Sequence, residues 1–239
     1  MGAMTNKRLA PLPAAYTQTT EALHRLAVYV IAPAQRLANG EIILRATPGG
    51  FSTFRYDGHV VGVDGDQLVV DGTHHPITTL NAAAAAIGIT PDVTQQEQFD
   101  VPPHGDLDEP LGVDRAAARA LGDWYALATE LLDTLRAEAE ADDDASIVRI
   151  WPEHFDAAIE MGDGGADRRG TYGASPGDSR HSGPYLYVSP WAGRIDGFFD
   201  DPAFMGASLP RERLVEDPDP TGAALRFLRE AGDRIRRRV

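Results

Sequence analysis

Apolar residues recur at helical spacing between Thr17 and Leu37, where Leu23, Leu26, Ala27, Val30, Ile31 and Ala34 fall on one stripe. The pattern predicts a helix, weakened in its last turn by Pro33 and stopped at Asn39-Gly40. Past that stop, Glu41 to Thr47, Phe51 to Tyr56, His59 to Val63 and Gln67 to Asp71 read as strands. A turn at Pro48-Gly49-Gly50 and the hairpin dipeptides Asp57-Gly58 and Asp64-Gly65 separate them. Thr78 or Thr79 can cap a short helix that runs through the alanines to Ile87 and closes at Gly88. The Pro- and Asp-rich stretch from Ile89 to Gly112 has little periodicity and reads as a connector.

The order then repeats. Asp114 caps a long helix predicted to reach about Ala141, with Leu121, Trp124, Ala128, Leu131, Leu132 and Leu135 as its buried stripe. Strands follow at Ser146 to Met161, Thr171 to Ala174 and Pro184 to Pro190, with a type II turn expected at Ser175-Pro176-Gly177-Asp178. Asp163 to Arg169 is a polar, Gly-rich loop, and Pro220 to Arg237 a final helix. Helices with runs of hairpin-linked strands predict an α+β fold with antiparallel sheet.

The two halves also match residue by residue. Ile43-Leu44-Arg45, Pro48 and Phe51 correspond to Ile147-Val148-Arg149, Pro152 and Phe155 at an offset of 104. The offset holds in the preceding helices, where Leu23, Ala27, Val28 and Ile31 correspond to Leu127, Leu131, Leu132 and Leu135. We therefore expect an internal duplication of a helix-plus-strand unit. The expected division is a disordered tail with an added leader at 1–15, a first half at 16–105 and a second at 106–239.

A net charge of −14 disfavours general binding to nucleic acid or to anionic membrane. Basic residues collect at the C-terminus, from Arg226 to Arg238, as a helix dipole favours. The absence of cysteine excludes disulfides, thiolate metal sites and cysteine catalysis. No run is apolar enough for a membrane span and no signal peptide core is evident, so a cytoplasmic protein is expected. Lys7 is the only lysine, and with the many alanines this suggests a high-GC bacterial genome. The strings TPGGF, WPEHFD, GASPGD and PYLYVSPW together resemble a family of uncharacterised proteins from high-GC bacteria. The resemblance implies one module with two related halves and carries no activity, cofactor or catalytic residue.

Candidate chemistry concentrates in the second half. Strand alternation through WPEHFD puts Trp151 and Phe155 on the core face and His154 and Asp156 on the opposite face, and Pro152, which cannot donate to a ladder, argues an edge or a bulge there. A carboxylate beside an imidazole orients a general base or metal ligand; it equally makes a plain surface hydrogen bond. Asp178 and His181 could join them as a weak metal set, although no metalloenzyme spacing supports it. Arg45 and Arg149 occupy matched strand positions, either as structural ion pairs or as clamps on an anion. Tyr172, Tyr185, Tyr187, Trp151 and Trp191 are core aromatics or the walls of a pocket. Ser175 and Ser179 lack a nucleophile-elbow context. His74-His75 reads as a polar turn, and His24 as an exposed or half-buried helix residue.

The expected function is a binding module for a small organic or anionic ligand, or a partner protein. The site expected for it is Arg149, Trp151, Glu153, His154, Asp156, Tyr172, Tyr185 and Tyr187. The alternative is a hydrolase or lyase that uses His154 and Asp156, with or without a metal. No motif requires a cofactor.

Overall fold

The structure is a computed structural model that describes residues 9–98, 101–163 and 166–237. The chain forms two compact units. The first holds residues 11–126 and 149–156; the second holds 127–148, the chain from 157 onward and, at the N-terminus, Leu9 and Ala10. These cuts differ from the expected division at 105, because β6 (Arg149–Trp151) pairs with β1 (Leu44–Thr47) and so belongs with the first half's strands. Residues 9–15 are not the disordered tail expected over 1–15. Leu9 is buried, and the Ala10 carbonyl accepts a hydrogen bond from the Arg211 guanidinium. Residues 1–8 and Arg238 lie outside the described residues.

In the first unit, α1 (Tyr16–Leu26) passes through a π-helical turn (Ala27–Ile31) into α2 (Ala32–Asn39). Pro33 explains this departure from the regular helix. It has no N–H for the Tyr29 carbonyl and its ring crowds that oxygen. The wider turn makes room, and the Asp92 N–H donates to the Tyr29 carbonyl instead, at 2.9 Å. The Tyr29 hydroxyl donates to the Pro102 carbonyl at 2.5 Å. The connector is thus tied to the helix that its own proline had disrupted.

Five further strands and three helices complete this part of the chain: β2 (Gly50–Thr53), β3 (Val61–Asp64), β4 (Gln67–Val70), β5 (Thr73–Pro76), α3 (Leu80–Ile87) and α4 (Gln95–Gln98) are followed by α5 (Arg115–Ala137) and β6. The six strands run antiparallel in the order β6-β1-β2-β3-β4-β5. Leu44, Phe51, Val61, Val63 and Leu68 are buried on one face. Thr79 caps α3 by accepting from the Ala82 N–H at 3.1 Å, and Gly88 ends it with φ 84°, as the sequence predicted. His74 and His75 stand in β5, not in a turn, paired with Val69 and Leu68.

Asp114 caps α5, which carries the chain into the second unit and stops at Ala137, a turn short of expectation. There β7 (Asp156–Gly162), β8 (Arg169–Ser175), β9 (Tyr185–Pro190) and β10 (Ala207–Pro210) pair antiparallel in the order β10-β9-β8-β7. Two helices follow, α6 (Arg211–Glu216) and α7 (Pro220–Arg236). Sequence pattern missed both β10 and α6. Every strand pairing is antiparallel and helices flank the strands, so the α+β assignment stands. Among the described residues no helix is long and apolar enough to cross a membrane.

Gly122 lies where α5 packs closely on the turn into β2. A Cβ there would lie 2.5 Å from the Gly50 nitrogen and 2.6 Å from the Gly49 carbonyl carbon. Both are backbone atoms and cannot swing aside. Gly122→Ala should therefore destabilise by about 1–3 kcal/mol despite alanine's better helix propensity. Urea unfolding measures this, and an unchanged or raised midpoint would show that the helix can slide off the turn.

Candidate functional site

The segment from Pro152 to Phe155 is a tight turn rather than a continuing strand. The Phe155 N–H donates to the Trp151 carbonyl at 2.6 Å, and Phe155 takes φ 53°, a conformation unusual for an aromatic residue. Tertiary packing holds it there. Its ring stacks on His24 at 4.8 Å and meets Phe51 and Tyr125 edge-on at 5.3 and 5.7 Å. The Tyr125 hydroxyl donates to the Phe155 carbonyl at 2.6 Å.

This turn breaks the alternation on which the His154–Asp156 pairing was built. His154 is exposed on the turn, while Asp156 is 5 % exposed at the start of β7. The two do not share a solvated face. Trp151 is also reversed: Ile150 is the core residue of β6, and Trp151 lies beside Arg149 on the other face. Phe155 is 1 % exposed, as expected, through the turn and not through a strand.

The register of β6 on β1 makes a different cluster. Leu44 stands opposite Ile150, so one step along each antiparallel strand sets Arg45 opposite Arg149. Directly opposed residues share a face and have Cα atoms roughly 4.5–5.5 Å apart. Each guanidinium lies over an aromatic ring, Arg45 over Phe54 at 5.7 Å and Arg149 over Trp151 at 5.8 Å. The Arg45 Nε donates to the Ser52 Oγ at 3.3 Å. The Arg149 Nε is shielded from solvent and has no acceptor. Among the described residues neither arginine forms an ion pair with a carboxylate. Two like charges in register, with no counter-ion and one unsatisfied donor, are a costly arrangement. It is also one that an oxyanion would relieve.

The other expected site residues lie in the second unit. Tyr172 is 2 % exposed, a core residue whose hydroxyl is held well above its usual pKa, first of all by burial. It walls no site. Trp191 is exposed, with Arg169 over its ring and its indole N–H on the Thr171 Oγ1. Asp178, His181, Tyr185 and Tyr187 do come together. The Tyr185 hydroxyl donates to the Asp178 Oδ2 at 2.6 Å, and the His181 ring packs on Tyr185 at 4.4 Å. Burial of Asp178 acts to raise its pKa, but the Tyr185 hydroxyl and the N–H groups of His181 and Arg180 outweigh it and the net shift is downward.

Sequence reasoning missed Asp201, which is 8 % exposed and 2.9 Å from the His181 Nε2. It also accepts from Ser208 at 2.7 Å. Nothing periodic in the segment from Trp191 to Gly206 points to it. The His181 Nδ1 is shielded from solvent and 3.7 Å from the Asp178 Oδ1. One imidazole nitrogen is thus on Asp201, while the other has no hydrogen-bond partner and is shielded from solvent. The cluster fastens the loop before β9 to the loop after it, helped by Arg180, which donates to the Ala203 carbonyl. Among the described residues no group of three His, Asp or Glu side chains is placed to hold a metal ion.

Comparison with protein-family models, with curated proteins and with solved structures finds no match. The assignment of a function therefore rests on geometry alone.

Two predictions follow from the turn. Phe155→Ala should cost about 3–5 kcal/mol, as large aromatic truncations in a core do, read as a shift in the urea midpoint. The second concerns His24, whose Nε2 donates to the Pro152 carbonyl at 2.8 Å. Burial first, and then the charge of His154, lower its pKa from 6.5 to about 4 against the pull of that hydrogen bond. The folded state thus excludes a proton that the unfolded chain accepts. Stability from His24 is complete above pH 6.5 and is lost as the pH falls towards 4, by at most about 3 kcal/mol. His24→Gln should flatten the stability profile across that window; a profile parallel to the wild type would show that the imidazole is protonated in the folded protein.

Proposed function

We propose that this protein is a binding module for a small organic ligand bearing a carboxylate or phosphate, held between Arg45 and Arg149. The observation that carries this is the pair itself: two arginines in opposed register on β1 and β6, neither of which has a carboxylate partner among the described residues. Guanidinium geometry suits bidentate contact with either oxyanion, and a charge-assisted hydrogen bond is worth about 1.5–3 kcal/mol. Trp151 and Phe54, already stacked under the two side chains, limit the rotamers that binding must freeze. We further read the two halves as products of a duplication. On that reading one ancestral arginine occurs twice, and antiparallel pairing of the matched strands brings both copies to one place.

The test is a thermal-shift and calorimetric titration with inorganic phosphate and with citrate. Both should raise the melting temperature saturably. Arg149→Ala should weaken binding about 10- to 100-fold, the equivalent of one charge-assisted contact. Its melting temperature without ligand should stay the same or rise, because a repulsion has been removed. An Arg149→Ala protein that is much less stable, together with no response of the wild type to either anion, would assign the arginines a structural role and end the proposal.

A further inference from the structure

The register that opposes the two arginines also fixes what lies beside them. Leu44 pairs with Ile150 on one side and with Thr53 on the other, so one step back along β1 sets Ile43 between Trp151 and Phe54. These three alternate onto the face that carries Arg45 and Arg149. The side chains agree with this register, because Arg149 lies over the Trp151 ring and Arg45 over the Phe54 ring. An apolar row thus runs beside the row of two cations, two residues or about 6.5 Å along each strand. Ile43, Trp151 and Phe54 are half-buried and Arg45 is exposed, so this part of the sheet face is open to solvent.

This combination discriminates among oxyanions. An inorganic ion meets only the guanidiniums and leaves the apolar row in water. In a chain of net charge −14, each further negative charge on a ligand is also opposed by the field of the whole protein. A monoanion with an apolar body avoids that repulsion and covers the row. Granted the anion site proposed above, on which this reading rests, we infer that its ligands are aromatic monocarboxylates. The carboxylate accepts from the terminal Nη groups of the arginines, since the Arg149 Nε is shielded from solvent. The ring lies against Ile43, where it meets two aromatic side chains and two guanidiniums, all of which favour a π surface over an aliphatic chain. The arginines select the charge, and Ile43, Trp151 and Phe54 select the body that carries it.

Backbone amide NMR of the full chain tests this, with 3-phenylpropionate, propionate and inorganic phosphate titrated separately at constant ionic strength. 3-Phenylpropionate should give saturable shifts at Ile43, Arg45, Arg149 and Trp151 with a Kd of roughly 1 mM, in line with so few ligand atoms. Propionate and phosphate should bind at least tenfold more weakly, because no phenyl ring leaves water. Ile43→Asn should weaken 3-phenylpropionate about five- to tenfold and leave phosphate affinity unchanged. If that variant melts early, 3-cyclohexylpropionate on the wild type takes its place, and it should bind more weakly than the aromatic acid. Equal affinity for propionate and 3-phenylpropionate, or a response that the variant or the cyclohexyl acid leaves unchanged, would overturn this inference while the anion site stands. No saturable shift with any of the three anions would overturn both.

Discussion

The packing of Phe155 sets the geometry of the face of the first unit that carries Arg45 and Arg149. An aromatic residue at positive φ is strained by roughly 1–3 kcal/mol and persists only where its surroundings over-determine it. Here His24, Phe51 and Tyr125 enclose the ring while the Tyr125 hydroxyl fixes the carbonyl. With that residue fixed, the Pro152–Phe155 turn has one conformation. The turn fixes where β6 ends, which leaves Arg149 opposite Arg45 and Glu153 beside α2. The same enclosure keeps His24 neutral, since its ring lies between Phe155 and the turn backbone. Burial, strain, a displaced pKa and a candidate ligand contact are therefore consequences of one packed side chain.

What the amino-acid pattern revealed follows from how local each determinant is. The cap at Thr79 and the stop at Gly88 depend on side-chain oxygen and backbone freedom within a single turn, and both appear where the residues place them. Strand β5 depends on a neighbour. Thr-His-His-Pro has little strand propensity of its own, and it extends because β4 supplies the partner backbone. The π turn at Ala27–Ile31 lies between these cases. Pro33 announced a disturbance, but the answering donor is Asp92, far along the connector. The largest error came from parity. Alternation counted through Pro152 assigned Trp151 and Phe155 to one face, whereas a four-residue turn between β6 and β7 resets the count.

The candidate site was legible in part for the same reason. Arg45 and Arg149 stand out as a matched pair because the repeat offset is visible in the residues alone. That they oppose each other is a statement about register, which the residues do not carry until the strands pair. The His154–Asp156 reading failed at the turn, and the His181 cluster was only half visible. Its Asp178 lies three residues away, within the same loop, but its buried partner Asp201 comes from an irregular segment twenty residues on. Once Asp201 is included, the chemistry changes. The imidazole held on Asp201, with Asp178 and Tyr185 beside it, ties the loop before β9 to the loop after it.

The charge distribution gives the arginine pair its significance. In a chain of net charge −14, carboxylates are abundant, and most surface arginines of this protein have found one: Arg229 is held by both oxygens of Glu138, and Arg234 by Glu230. Arg45 and Arg149 are exceptions on adjacent strands. Like charges directly opposite one another on paired strands are unfavourable, and the desolvated Arg149 Nε adds the cost of a missing acceptor. A fold indifferent to this position would gain stability by replacing either residue. An anion that binds the folded state alone removes both penalties at once, and its concentration then adds to stability through mass action. On the proposed reading, any local instability without ligand and any affinity for an oxyanion would be the same free energy seen from two states.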